Sequence, residues 1–255
     1  MNAGAVVVAA GLGTRLGAGK PKALVTLGGT PLVTHAVRRL VATGGVSHVV
    51  VVVPASHEDE FADVLSDFAD GDVPVEIVAG GAERSDSVRC GLRALDRECD
   101  IVLVHDAARC LAPVELTERV LAALAAGADA VIPVVPVVDT IKVVEATQTA
   151  GDDGEDDGRS AEGGAADAPA LERVVSTPVR ADLRAVQTPQ GFRRSVLVAA
   201  HESGLDATDD AALIERAGGE VLVVDGDLFA LKVTTPLDIV VAEHLLADRS
   251  EAEPV

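Results

Sequence analysis

Tryptophan and tyrosine are absent from the 255 residues, and only 2% are aromatic, while 48% are hydrophobic. The core must therefore be filled by Val, Leu, Ala and Ile. Cysteine is scarce and odd in number: Cys90, Cys99 and Cys110 show no Cys-x-x-Cys spacing. That excludes a disulfide framework or a zinc site and predicts reduced thiols. Basic residues are outnumbered, with 21 Lys and Arg against 41 Asp and Glu, a formal charge of −20. A chain so acidic is not expected to bind nucleic acid or an anionic membrane. Its opening has no basic leader, and its first apolar run is too short to span a bilayer. The expectation is a cytoplasmic protein.

What is present is a rhythm. Short β-branched runs (5–9, 48–53, 75–78, 101–104 and 130–134) alternate with amphipathic stretches (31–42, 56–68, 84–95 and 113–126). Strands apolar on both faces predict a Rossmann-like α/β fold with a mostly parallel sheet flanked by helices. Right-handed crossovers place the loops after Ala9, Val78 and Val104 along one rim. The rhythm breaks after Val134. "PVVDTIKVVE" and "LERVVST" read as a β-hairpin arm over 136–190 of a single domain spanning 1–255. Between them, Ala150–Ala170 holds seven acidic residues and one Arg. That composition predicts a disordered loop, and its spacing is not that of a calcium loop. Helices 193–203 and 209–217, strands 221–224 and 229–231, and a last helix 236–246 are expected beyond it.

The first loop, "AAGLGTRLGAGKPK", carries the most chemistry. A dinucleotide fingerprint fails because Leu16 stands where its third Gly belongs. A P-loop fails because Pro21 follows Lys20 and Thr14 replaces its first Gly. A-A-G-x-G-x-R-x followed by P-K fits a nucleotidyltransferase loop. Small residues let backbone N–H groups approach a triphosphate, and Arg15 and Lys22 bring fixed charge to the phosphorus under attack.

Six further blocks follow in order: "GGAERSDSVRCGL", "VHDAAR", "DTIK", "QTPQGF", "TDDAAL" and "LKVTTPLDIVVAE". With the first loop they resemble the 2-C-methyl-D-erythritol 4-phosphate cytidylyltransferases over nearly the whole chain except the acidic insert. The resemblance implies a nucleotidyltransferase fold with a dimerisation arm and Mg²⁺-dependent transfer of CMP from CTP to the polyol phosphate, releasing diphosphate. It implies Arg15, Lys22, Arg180 and Lys232 as catalytic residues. Ala9, Ala10, Gly11, Gly13, Gly81, Ser87 and Ala107 would hold the nucleotide. Asp106, Thr140 and Thr188 would meet the polyol phosphate, and Asp106 would face the metal. Thr140 and Arg180, on the arm, would serve a partner's site in a homodimer. Arg109 would support the Asp106 loop through ion pairing, and His105 would orient that loop. The sequence departs from the family at Cys110, where Pro is usual, and at Ala82, where an acid or amide is common. A cytidylyltransferase for another polyol phosphate such as ribitol 5-phosphate, and a non-catalytic nucleotide sensor, remain the competing readings.

Overall fold

The computed structural model describes residues 2–11, 13, 19–147, 171–205 and 207–252. The expected disordered insert, 150–170, and Arg15 lie outside the described residues. The chain divides into two units, Met1–Val135 with Val186–Val255, and Pro136–Ala185.

In chain order the strands are β1 (Ala3–Val8), β2 (Thr26–Leu27), β3 (Thr30–Pro31), β4 (Val46–Val53), β5 (Val75–Ala79), β6 (Ile101–Asp106), β7 (Ala130–Pro136), β8 (Val143–Ala146), β9 (Glu172–Ser176), β10 (Arg184–Val186), β11 (Gln190–Arg193) and β12 (Leu222–Asp225). The helices are α1 (Leu32–Val41), α2 (Glu58–Val64), α3 (Arg84–Ala94), α4 (Val114–Ala125), α5 (Arg194–Glu202), α6 (Asp210–Arg216) and α7 (Pro236–Ala252).

The first unit is built on a sheet that runs β7-β11-β6-β1-β4-β5, with β12 also paired to β7. Among β1, β4, β5, β6, β7 and β12 the pairings are parallel, while β11 is antiparallel to both β6 and β7. Alternation along the strands sorts the core into two layers. Ala5, Val7, Val49, Val51 and Leu103 face the side covered by α1, α2 and α4. Val6, Val50, Val52, Val102 and Val104 face α3, α5 and α6. These branched side chains bury almost completely, with one fully buried phenylalanine in each layer, Phe61 in the first and Phe192 in the second. Removing one such Leu side chain costs about 2–5 kcal/mol.

The predicted mostly parallel sheet is present, and two of the expected elements differ in kind. The strand expected at 229–231 is a 3-10 turn, Leu228–Ala230, because the Asp227 carboxylate accepts the Phe229 N–H at 2.8 Å and starts a turn. Stretch 56–68 is not one helix but α2 between two 3-10 turns.

In the second unit β8 and β9 form an antiparallel hairpin in which Val144 faces Val174. Glu145 pairs with Arg173 across it. The valines Val143, Val144, Val174 and Val175 are exposed. No described helix is long and apolar enough to cross a membrane.

Candidate active site

Three strands end on one rim. Val8 is in register with Asp106, so β1 and β6 release their loops side by side. Cross-strand bonds continue past the strand ends: Ala107 N–H to the Val8 carbonyl at 3.2 Å, Ala9 N–H to Val52 at 2.8 Å and Gly80 N–H to Val53 at 2.8 Å. The loops after β1, β5 and β6 then enclose a cavity of about 320 Å³. Ala9, Ala10, Gly11, Gly13, Lys22, Gly81, Ser87, Asp106, Ala107 and Lys232 all line it.

Each wall has a local cause. On the β1 side Gly13 takes φ +64°, and a Cβ there would stand 2.4 Å from the Lys22 Cβ. Only glycine lets the loop lie against the lysine stem. Lys22 itself opens a 3-10 turn directly after Pro21. On the β5 side, α3 starts with a capping box between Glu83 and Asp86. The Ser87 hydroxyl accepts the Gly81 N–H at 3.3 Å, and a Cβ on Gly81 would fall 2.2 Å from that of Asp86.

Asp106, the last residue of β6, is held from several directions. Its N–H donates to the Thr188 hydroxyl at 3.0 Å. Its carboxylate meets the Lys232 ammonium at 2.7 Å and the Arg84 guanidinium at 3.7 Å. Burial alone would raise its pKa, but Lys232 and Arg84 outweigh that and hold it below the ordinary carboxylate value. Beside it, burial pushes the His105 pKa down to about 4, so the ring is neutral. Since the Thr188 oxygen accepts from Asp106, its proton is free to donate to His105 Nδ1, 3.0 Å away. His105 thus orders the Asp106 loop through Thr188.

Arg109 does not act by direct ion pairing. Its guanidinium donates to the carbonyls of Ala230 at 2.7 Å and Val186 at 3.0 Å. It ties the Asp106 loop to the segment that carries Lys232. Cys110 is buried in a third apolar cluster with Leu27, Leu32 and Val233. Burial pushes its thiol up to about 12, which leaves it protonated and unreactive.

Thr140 and Arg180 belong to the second unit, where Arg180 donates to the Val138 carbonyl at 3.0 Å. Arg84 lines the cavity but was not singled out from the sequence. A signal existed: it is a cation at the first position of α3, where the helix dipole disfavours positive charge. Its Nη1 lies 2.7 Å from Asp210 Oδ2, and that carboxylate accepts from His201 at 2.9 Å.

A parallel sheet whose strand-end loops gather small residues, two lysines and one buried carboxylate around a cavity defines an enzyme of the nucleotidyltransferase class. The family model for 2-C-methyl-D-erythritol 4-phosphate cytidylyltransferase matches residues 3–158 and 165–248. The protein of that name from Streptomyces avermitilis is 47% identical over 247 residues, covering 96% of this chain and 92% of the relative. Its counterpart from Streptomyces coelicolor is 48% identical, covering 96% and 85%. Among solved structures, 4-diphosphocytidyl-2C-methyl-D-erythritol synthase from Anaerococcus prevotii aligns with a TM-score of 0.76 at 28% identity, covering 96% of each chain. The Thermus thermophilus cytidylyltransferase aligns at 0.69 with 32% identity, covering 97% and 100%. The chain belongs to the 2-C-methyl-D-erythritol 4-phosphate cytidylyltransferase family.

Proposed function

We propose that the chain transfers CMP from CTP to 2-C-methyl-D-erythritol 4-phosphate, giving 4-diphosphocytidyl-2-C-methyl-D-erythritol and diphosphate in isoprenoid precursor synthesis. The observation that carries this is the convergence of Lys22, Asp106 and Lys232 on one cavity in a member of this family. An oxygen of the polyol phosphate attacks the α-phosphorus of CTP. One P–O bond forms, and the bond to the diphosphate breaks. The second pKa of a phosphate monoester lies near 6, so the nucleophile is already ionised at neutral pH. No general base is needed, and the neutral, fully buried His105 offers none.

Catalysis reduces to alignment and charge neutralisation. Lys22, with Arg15 from the same loop, stabilises charge at the α-phosphorus. The backbone of Ala9 to Gly13 and of Gly81 to Ser87, with Ala107, holds the nucleotide. Lys232 takes the polyol phosphate, Asp106 and Thr188 stand beside it, and Thr140 and Arg180 come from the arm of a second subunit. The exposed valines of the β8–β9 hairpin favour such a homodimer.

Mg²⁺ is the proposed cofactor. Among the described residues no three His, Cys, Asp or Glu side chains gather around a metal position. A carboxylate at the end of β6 facing a phosphate cavity suits an ion that keeps its waters and binds phosphate oxygens, and Asp106 is that group. When bound, the ion would neutralise triphosphate charge. The setting is cytoplasmic. The test is diphosphate release from CTP against a panel of polyol phosphates. Turnover with methylerythritol phosphate well above ribitol 5-phosphate is expected. Turnover with ribitol 5-phosphate alone would reassign the substrate, and none at all would leave a nucleotide sensor.

A further inference from the structure

The buried pair Asp210–His201 lies outside the cavity, between α5 and α6, yet it reaches the cavity through Arg84. Asp210 has a side chain only 2% exposed. Keeping a carboxylate there is costly unless its hydrogen bonds are satisfied. They are: Oδ2 takes Arg84 Nη1 at 2.7 Å and Oδ1 takes His201 Nε2 at 2.9 Å. The preceding residue, Asp209, caps α6 by accepting the Ala212 N–H at 2.9 Å, and its other oxygen takes Gln190 Nε2 at 2.9 Å. Asp210 is therefore fixed by the helix start itself and cannot follow Arg84 if the guanidinium moves.

Arg84 then presents its second nitrogen to the cavity, with Nη2 at 3.7 Å from Asp106 Oδ1. The other Asp106 oxygen holds Lys232 at 2.7 Å. The carboxylate's charge is thus divided between two cations. From this geometry we infer that Arg84, anchored by Asp210, is a positioning residue that shares the Asp106 carboxylate with Lys232 and so keeps the Lys232 ammonium available to the substrate phosphate. A planar fork with one arm anchored and one arm offered is a task for arginine; the compact ammonium of lysine cannot span both carboxylates in the same way. Without Arg84, Asp106 turns both oxygens to Lys232 and withdraws it from the polyol phosphate.

This inference rests on the proposed role of Lys232 toward the polyol phosphate. The test is steady-state kinetics of the full chain with CTP and methylerythritol phosphate varied separately, on Arg84→Gln, Arg84→Lys, Asp210→Asn, the Arg84→Gln/Asp210→Asn pair and Lys232→Gln. Arg84→Gln should raise the polyol phosphate KM about tenfold or more, as expected for a displaced positioning contact, with CTP KM within about twofold. Thermal melting should fall as well, because Arg84→Gln takes a cation from the buried Asp210 carboxylate, so both KM values are read below the melting range of the variant. Arg84→Lys should recover part of the loss. The double variant should be no worse than Arg84→Gln, because Asp210 acts through Arg84. An unchanged polyol phosphate KM, an equal rise in the CTP KM, or multiplying effects in the double variant would each overturn the inference. If Asp210→Asn does not fold, the two KM values of Arg84→Gln decide. Lys232→Gln separates the two readings. If it raises the CTP KM instead, the assignment of Lys232 is wrong. If it raises the polyol phosphate KM while Arg84→Gln does not, only the sharing by Arg84 fails.

Discussion

Lys22 has its stem pressed against Gly13, in a loop whose backbone turns through the left-handed region. A cation fixed in this way acts on charge that develops during reaction. Lys22→Ala should lower kcat on the order of 10²-fold or more, with a smaller rise in CTP KM; rapid-quench turnover measures it. Asp210 gives a prediction of another kind. Burial would raise its pKa, but the bond from His201 and the charge of Arg84 outweigh it, so the folded-state value lies below the unfolded one. Its stabilisation is present above the unfolded value of about 3.9 and is lost as pH falls through the lower folded value. Asp210→Asn should therefore melt well below wild type at pH 7, in line with the roughly 3–5 kcal/mol cost of breaking a buried ion pair. The gap should narrow as both proteins are titrated to pH 3, and a constant gap would show that the charge is irrelevant. Lys22 and Lys232 were legible because cations are rare in so acidic a chain and these two sit in recognisable blocks. Arg84 was not, because its partners Asp106 and Asp210 are 22 and 126 residues away in sequence.

At the scale of elements, the beginning of α3 sets one wall of the cavity. Glu83 and Asp86 satisfy each other's backbone N–H groups, and this places Gly81 and Ser87. Glu83→Ala should cost about 1 kcal/mol, the usual value of a lost N-cap. A moderate increase in CTP KM should accompany the fall in melting temperature, whereas a change in the polyol phosphate KM alone would contradict the role given to this loop. The parallel strands were readable because their Val, Ile and Leu residues are buried on both faces, which leaves an unbroken apolar run. β11 was not readable. "QGFR" has a single large apolar residue, Phe192, and owes its strand conformation to β6 and β7, whose edges it joins. β2 and β3 are two residues each, too short for any periodicity. The 3-10 turn at Leu228–Ala230 was mistaken for a strand because apolar residues alone do not reveal a side-chain bond such as that of Asp227.

For the whole molecule, the proposed exchange of arms makes a sharp forecast. Lys22→Ala and Arg180→Ala homodimers should both be nearly inactive. If each site draws Lys22 from one chain and Arg180 from the other, a mixed dimer has one doubly damaged and one intact site. Purified heterodimers carrying two different tags should then recover up to about half of wild-type turnover by site count, since two damaged partners can share one complete constellation. Recovery no greater than either parent would mean that both residues serve the same chain's site. The sheet order has a separate bearing on how the chain reaches this state. The strands β5, β4, β1 and β6 are all made within the first 106 residues and can pair with one another at once. β7 is made next but does not pair with β6. Among its neighbours, β11 and β12 emerge only at residues 190–193 and 222–225. During synthesis, then, an apolar strand waits unpaired beside an open sheet edge while about 60 further residues leave the ribosome, at roughly 5–20 residues per second. That interval of several seconds is when this protein is most exposed to aggregation. A fragment ending at Val135 should keep the early strands yet aggregate, and a fragment extended through β12 should form nothing larger than the dimer.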